Sequence, residues 1–247
     1  MSNLYKANMR RILKNFIFVG GCVIAFVVTL AFTANLMGFT GRFEEMGPDR
    51  RMVFVSVAML AFFTIFVPLY TNMEYRYGVI RNKILSGYSQ KEVYVSHLFS
   101  HFTVLAIMML CYITGGIIGG ARSPETLVVS SLVLFFALCG YIATMMLVTM
   151  RIIKITLVSI FAFLILETSY VSVMVGNALM AFVLKGAAQD VGRIVYNCFA
   201  FGQWLVCTGL TDDVVKPGAF VQIVISVAVS AVMIGITTIG LNKRDLQ

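Results

Sequence analysis

Charged residues make up only 12% of this 247-residue chain, and no Gly-Lys dipeptide occurs anywhere in it. So few charges exclude a soluble domain, which at this size needs a polar exterior. The missing dipeptide excludes the G-x-x-x-x-G-K-S/T loop that cradles nucleotide phosphates. The chain has two histidines, His97 and His101, one helical turn apart in "SHLFSHF". No Glu completes an H-E-x-x-H pattern and no third ligand stands near, so ordinary hydrogen bonds are expected there rather than a metal. Short alternating segments are also lacking, which excludes a transmembrane barrel. No small-x-small cleavage site follows the first apolar run from Phe16 to Met37, which exceeds a signal-peptide core, so that run is expected to stay as a span.

Apolar residues make up 60% of the chain, and mean hydropathy is +0.92. They gather in six blocks, at about 16–37, 52–73, 93–118, 125–149, 152–175 and 219–241, each near the ~20 residues that cross a hydrocarbon core. The expected fold is all-α, a polytopic membrane protein with six transmembrane helices in a single domain. Pro68 falls late in the second block and is expected to kink it. With the N-terminus inside, inner segments hold twelve Lys and Arg against three acids, and outer segments seven against seven. The positive-inside bias therefore puts both termini in the cytoplasm.

Outside the blocks, Lys6, Arg10 and Lys14 recur at i, i+4, i+8, with Tyr5, Met9, Ile12 and Phe16 on another face. That pattern predicts an N-terminal interfacial helix facing anionic headgroups. Region 176–218 contains "IVYNCFAFGQWLVCTGL", too short for a seventh span, and reads as outer re-entrant or interfacial helices with Trp204 at headgroup depth. Cys22, Cys111 and Cys139 lie in spans as small apolar side chains. Cys198 and Cys207 share the outer region, where an oxidising compartment would let them pair; their spacing leaves this open. The glycines of "GGIIGG" (115–120) suit close helix packing. "EEMGPDRR" (44–51) resembles the Glu-Glu-x-x-x-Arg of intramembrane prenyl-protein proteases, but Asp49 stands where the Arg is required. That reading is set aside.

Glu167 lies past the middle of the fifth block. A charge at that depth costs roughly 2.5–3.5 kcal/mol, so it is expected to face a bundle interior or water path, or to be protonated and bonded to a neighbouring helix. Thr156, Ser159, Glu167, Tyr170 and Asn177 recur at helical spacing, with Phe163 and Met174 completing the stripe. Met and Phe are abundant, at 15 and 20 residues, which suits an adaptable substrate path or lipid-facing filler equally.

Residues 74–98 read "EYRYGVIRNKILSGYSQKEVYVSHL". Helix formers fill Glu74–Leu85, Gly87 suits a C′ position, and Ser89 with Glu92 makes a capping box that restarts a helix. An ordinary positive-inside loop needs the cations but not the rigid turns; a lever for a soluble partner needs both. This segment resembles the one between spans two and three in ABC transporter permeases of the type-2 exporter class, through Glu74, Gly78, Gly87, Ser89 and Lys91, although Gln90 stands where a basic residue is usual. The closing "LNKRDLQ" is similar to that family's F-x-K/R-K/R-D-L tail, with Leu241 and Asn242 departing from it.

The resemblance implies a permease subunit in a bacterial cell membrane, with no catalytic residue, metal or cofactor of its own. A second permease copy or paralogue would pack beside it. Separate ABC ATPase subunits holding ATP and Mg would bind segment 74–92 through Glu74, Tyr77, Gly78, Arg81, Lys83 and Gly87. Ser159, Glu167 and Tyr170 would border the path of an amphipathic substrate, an antimicrobial or cytolytic peptide for small permeases of this kind. Lipid is the remaining expected partner, and nucleic acid is not one. The alternative is a stand-alone carrier or channel using Glu167 for proton or cation coupling.

Overall fold

The computed structural model describes residues 2–152, 154–211 and 215–241. The described residues are helical with no strand, in the order α1 (Ser2–Leu13), α2 (Phe16–Thr33), α3 (Arg42–Glu45), α4 (Pro48–Val55), α5 (Val57–Arg76), α6 (Val79–Leu85), α7 (Gln90–Ile118), a π-helical turn (Glu125–Ser130) leading into α8 (Ser131–Arg151), α9 (Ile155–Phe182), α10 (Ala187–Asn197), α11 (Ala200–Thr208) and α12 (Ala219–Leu241). Six helical stretches are long and apolar enough to cross a membrane: α2, α4 with α5, α7, the π turn with α8, α9, and α12. They support a multi-pass membrane protein. The tail motif, apart from Leu241, lies outside the described residues.

Boundaries shift for local reasons. The first span ends at Thr33 rather than 37 because Asn35 takes a positive φ of 52° and its side chain bonds the backbone of Phe39. The fifth runs seven residues past 175, to Phe182, as one uninterrupted helix. The second is broken at Ser56, whose hydroxyl donates to the Val53 carbonyl at 2.7 Å. Trp204 Nε1 also donates there, to the carbonyls of Val53 at 3.0 Å and Phe54 at 3.2 Å. Trp204 is only 5% exposed: it plugs the break between α4 and α5.

Helices α7 and α8 form the middle of the bundle, with α2 along α7 and α12 along α8. Without a hydrophobic drive between helices in lipid, close packing must hold them, and small residues allow it. A Cβ on Gly115 would lie 2.6 Å from the Phe26 carbonyl oxygen of α2, and one on Gly119 2.6 Å from Thr33 Cβ. Gly116 faces Met52 of α4, whereas Gly120 sits in the following turn at φ +105°. Gly115→Ala is therefore expected to destabilise the chain by about 1–3 kcal/mol through overpacking, seen as a lower denaturation midpoint in detergent. Gly20→Ala in α2, where a Cβ meets nothing within 4 Å, does not lower it, since alanine is the better helix former.

Met52, Met108, Met145, Met146 and Met150 are fully buried with Phe63, Phe66, Tyr94 and Tyr112. These methionines are thus core packing, neither path nor lipid-facing filler. Asp49 has a structural task as well. Its Oδ1 accepts from the backbone N–H groups of Arg122 and Ser123 at 3.0 and 2.8 Å, fastening the turn before α8 to α4.

Candidate functional site

Gly78, at φ +66°, closes α5 and opens α6 in a left-handed turn. Glu74 therefore belongs to the last turns of α5 rather than to the short helix. At the other end of α6, Gly87 at φ +91° accommodates a Schellman motif. Its N–H donates to the Ile84 carbonyl at 2.9 Å, and that of Tyr88 to Lys83 at 3.3 Å. Ser89 then starts α7 with the expected capping box: its hydroxyl accepts from Glu92 N–H at 3.2 Å, and Glu92 Oε2 accepts from Ser89 N–H at 2.9 Å. Helix α7 has 29 residues, about 43 Å of helix against a ~30 Å hydrocarbon core. The helix is therefore long enough to extend beyond such a core or to cross it at a tilt.

Beneath α6 lies a cluster that joins four helices. Glu74 on α5 is 5% exposed. Its Oε2 receives Lys83 Nζ of α6 at 2.6 Å, and its Oε1 receives the Tyr70 hydroxyl at 3.2 Å. Lys83 also donates to Asn8 Oδ1 of α1 at 2.8 Å, and Asn8 donates to Ser96 Oγ of α7 at 3.0 Å. His97 Nε2 lies 3.0 Å from Lys83 Nζ and 3.1 Å from Glu74 Oε2, so its tautomer decides whether it accepts from the ammonium or donates to the carboxylate. Arg11 approaches Glu74 Oε1 at 3.7 Å from a half-exposed position, where an ion pair contributes little. Burial pushes the Lys83 ammonium below its ordinary pKa, and the adjacent Glu74 carboxylate counters part of that shift.

This geometry divides the residues expected to meet a soluble partner. Glu74 is buried and faces inward, and Lys83 is largely covered, with its ammonium turned onto Glu74. Tyr77 and Leu85 stand out at 68% and 75% exposed, with Arg81 and Gly87 exposed beside them and Gly78 in the turn. Both histidines are buried inside the bundle. His101 Nδ1 meets the His97 carbonyl at 2.8 Å, and among the described residues no His, Cys, Asp and Glu group could hold a metal. Asn8 was the residue the sequence pattern passed over, although as a lone amide on the stripe Leu4–Asn8–Ile12 it carries the signal of a buried polar contact.

The stripe on α9 also turns the other way. Val158, Ala162, Ser169, Val173 and Met180 form its buried side, while Thr156, Ser159, Glu167 and Tyr170 are exposed. Glu167 therefore lies neither in the chain's own interior nor against a neighbouring helix of the same chain. A separate cavity of about 560 Å³ opens between α8, α9, α11 and α12, lined by Tyr141, Thr168, Ser169, Cys198, Gln203 and Ser226 among others. Ser159, Glu167 and Tyr170 are not in its wall.

At that end a buried network pins α10, α11 and α12. Gln203 Nε2 donates to the Asn197 and Gln222 carbonyls at 2.6 and 3.2 Å, Gln222 Nε2 to Asn197 Oδ1 at 3.0 Å, and Ser226 Oγ to Gln203 Oε1 at 3.0 Å. Cys198 and Cys207 are both free thiols. Comparison with known proteins finds no matching family model, no matching curated protein and no matching solved structure.

Proposed function

We propose that the chain is the transmembrane subunit of an ATP-driven exporter, a type-2 ABC permease working in a bacterial cell membrane with both termini in the cytoplasm. The observation that carries this reading is the two-sided build of α6. One side is anchored by Lys83 and the buried Ile80. The other offers Arg81 and Leu85, with Tyr77 exposed just before the Gly78 turn, from a helix fixed at both ends by glycine turns. An exposed Tyr and Arg on a rigid projection have the composition of an interface hot spot, and a plain connector needs neither. Separate ATPase subunits seat there and convert ATP-driven closure into movement of α5 and α7. Helices α10 and α11 then cover the outer face.

The outward stripe of α9 supports a second permease copy or paralogue. A carboxyl left in lipid is costly, and a facing copy turns Thr156, Ser159, Glu167 and Tyr170 into an inter-subunit path for an amphipathic peptide. A carrier working as a single copy requires that carboxyl inside its own bundle, which counts against it. The test is pull-down of an ABC ATPase with the full chain, together with labelling of α6 from the cytoplasmic side. Labelling of α6 from outside, or translocation by the purified chain alone, overturns the proposal. Glu167→Gln is expected to change substrate-stimulated ATPase activity while the assembly still purifies intact; unaltered stimulation removes Glu167 from the path.

A further inference from the structure

Lys6 and Arg10 of α1, and Lys14 just beyond it, lie on the side opposite its buried contacts, whereas Arg11 turns towards Glu74. Lys6, Arg10 and Lys14 are exposed, and no acidic residue precedes Glu44 in the chain. The other side is fastened to both helices of the α6–α7 hairpin. Asn8 is wholly buried between Ser96 Oγ of α7 at 3.0 Å and Lys83 Nζ of α6 at 2.8 Å. The Tyr5 hydroxyl lies 2.8 Å from that of Thr103, and Leu4, Met9 and Ile12 fill the remaining contact. Displacing α1 strips a buried ammonium of one acceptor, so α1 and α6 are mechanically linked.

We infer that α1 is an anionic-phospholipid sensor wired to α6. Headgroup phosphates engaged by Lys6, Arg10 and Lys14 hold α1 on the membrane surface, and Asn8 passes that restraint to Lys83. Each cation near an anionic surface contributes roughly a fivefold gain in association, so the three together give on the order of a hundredfold, weakened by salt. The neighbouring side chains select a membrane over a soluble acidic partner. Leu13 at the end of α1 and Phe16 at the start of α2 are both exposed beside the cations, and an apolar anchor next to basic residues is the composition of an interfacial helix.

The test uses the full chain in nanodiscs of phosphatidylcholine, with and without phosphatidylglycerol, and reads amide hydrogen exchange in 2–13 and 79–85. It needs no ATPase, so its outcome is independent of the export reading. At low salt, phosphatidylglycerol is expected to slow exchange about tenfold or more in both segments, and added salt to reverse this. The combined Lys6→Gln, Arg10→Gln, Lys14→Gln variant loses both effects. Asn8→Ala keeps the slowing in α1 and loses it in α6. An α6 that ignores lipid charge in the unaltered chain overturns the inference, whether or not Asn8→Ala folds. So does an Asn8→Ala variant whose α6 still responds, or inorganic phosphate reproducing the effect in phosphatidylcholine alone.

Discussion

Glu74→Gln lowers the stability of the chain by about 3–5 kcal/mol, the cost of removing one member of a buried ion pair and leaving the other charge behind. The amide keeps an acceptor for Lys83 but not the charge that compensates an ammonium only 10% exposed. Tyr70, which donates to the carboxylate at 3.2 Å, and His97 Nε2, 3.1 Å from it, lose the same anchor. For a chain of this length the loss corresponds to a fall of roughly 10 °C in the denaturation midpoint, read from thermal unfolding in detergent. The pair supplies its own control: Glu74→Leu with Lys83→Met removes both charges together and restores most of the stability. Equal, additive losses from the two single substitutions contradict a coupled pair, since residues in one network show interaction energies of about 0.5–3 kcal/mol.

Arg81→Glu has the opposite profile. Arg81 is exposed, and surface substitutions away from caps and networks change stability by within about 0.5 kcal/mol. The denaturation midpoint therefore stays where it is. If the segment couples to an ATPase as proposed, what falls is stimulation of that ATPase, by tenfold or more, because truncating or reversing an interface Arg at a hot spot costs about 2 kcal/mol or above. Tyr77→Ala and Leu85→Ala weaken the same contact through lost apolar area. Gly87→Pro acts through the backbone instead: proline fixes φ near −65°, which the observed +91° does not permit, so the turn opens and α6 loses its setting. Full stimulation in both Arg81→Glu and Gly87→Pro moves the coupling contact elsewhere on the protein.

The two predictions separate because the side chains of one short segment face two ways, and the sequence does not display which faces where. In "EYRYGVIRNKILSGYS" every cation reads alike. Lys83 and Arg81 are two residues apart, so one points inward when the other points out, but nothing local says which. The choice was made by α1 and α7, whose Asn8 and His97 meet Lys83 from sequence separations of 75 and 14 residues. Trp204 is a sharper case. Its indole bonds backbone 150 and 151 residues away, partners that no local pattern names.

By itself the sequence determined the all-helical character, the six apolar stretches, the capping box at Ser89 and the glycine turn at Gly87. Each depends on neighbours within a few positions: hydropathy summed over a helix, a side chain reaching its own third residue, a backbone angle only glycine takes freely. The tertiary structure alone decided that Glu74 and Lys83 are buried, that the Glu167 stripe faces away from its own bundle, and that Met fills the core. Those outcomes depend on which helices become neighbours. Periodicity defines the faces of a helix, but only packing assigns a partner to each.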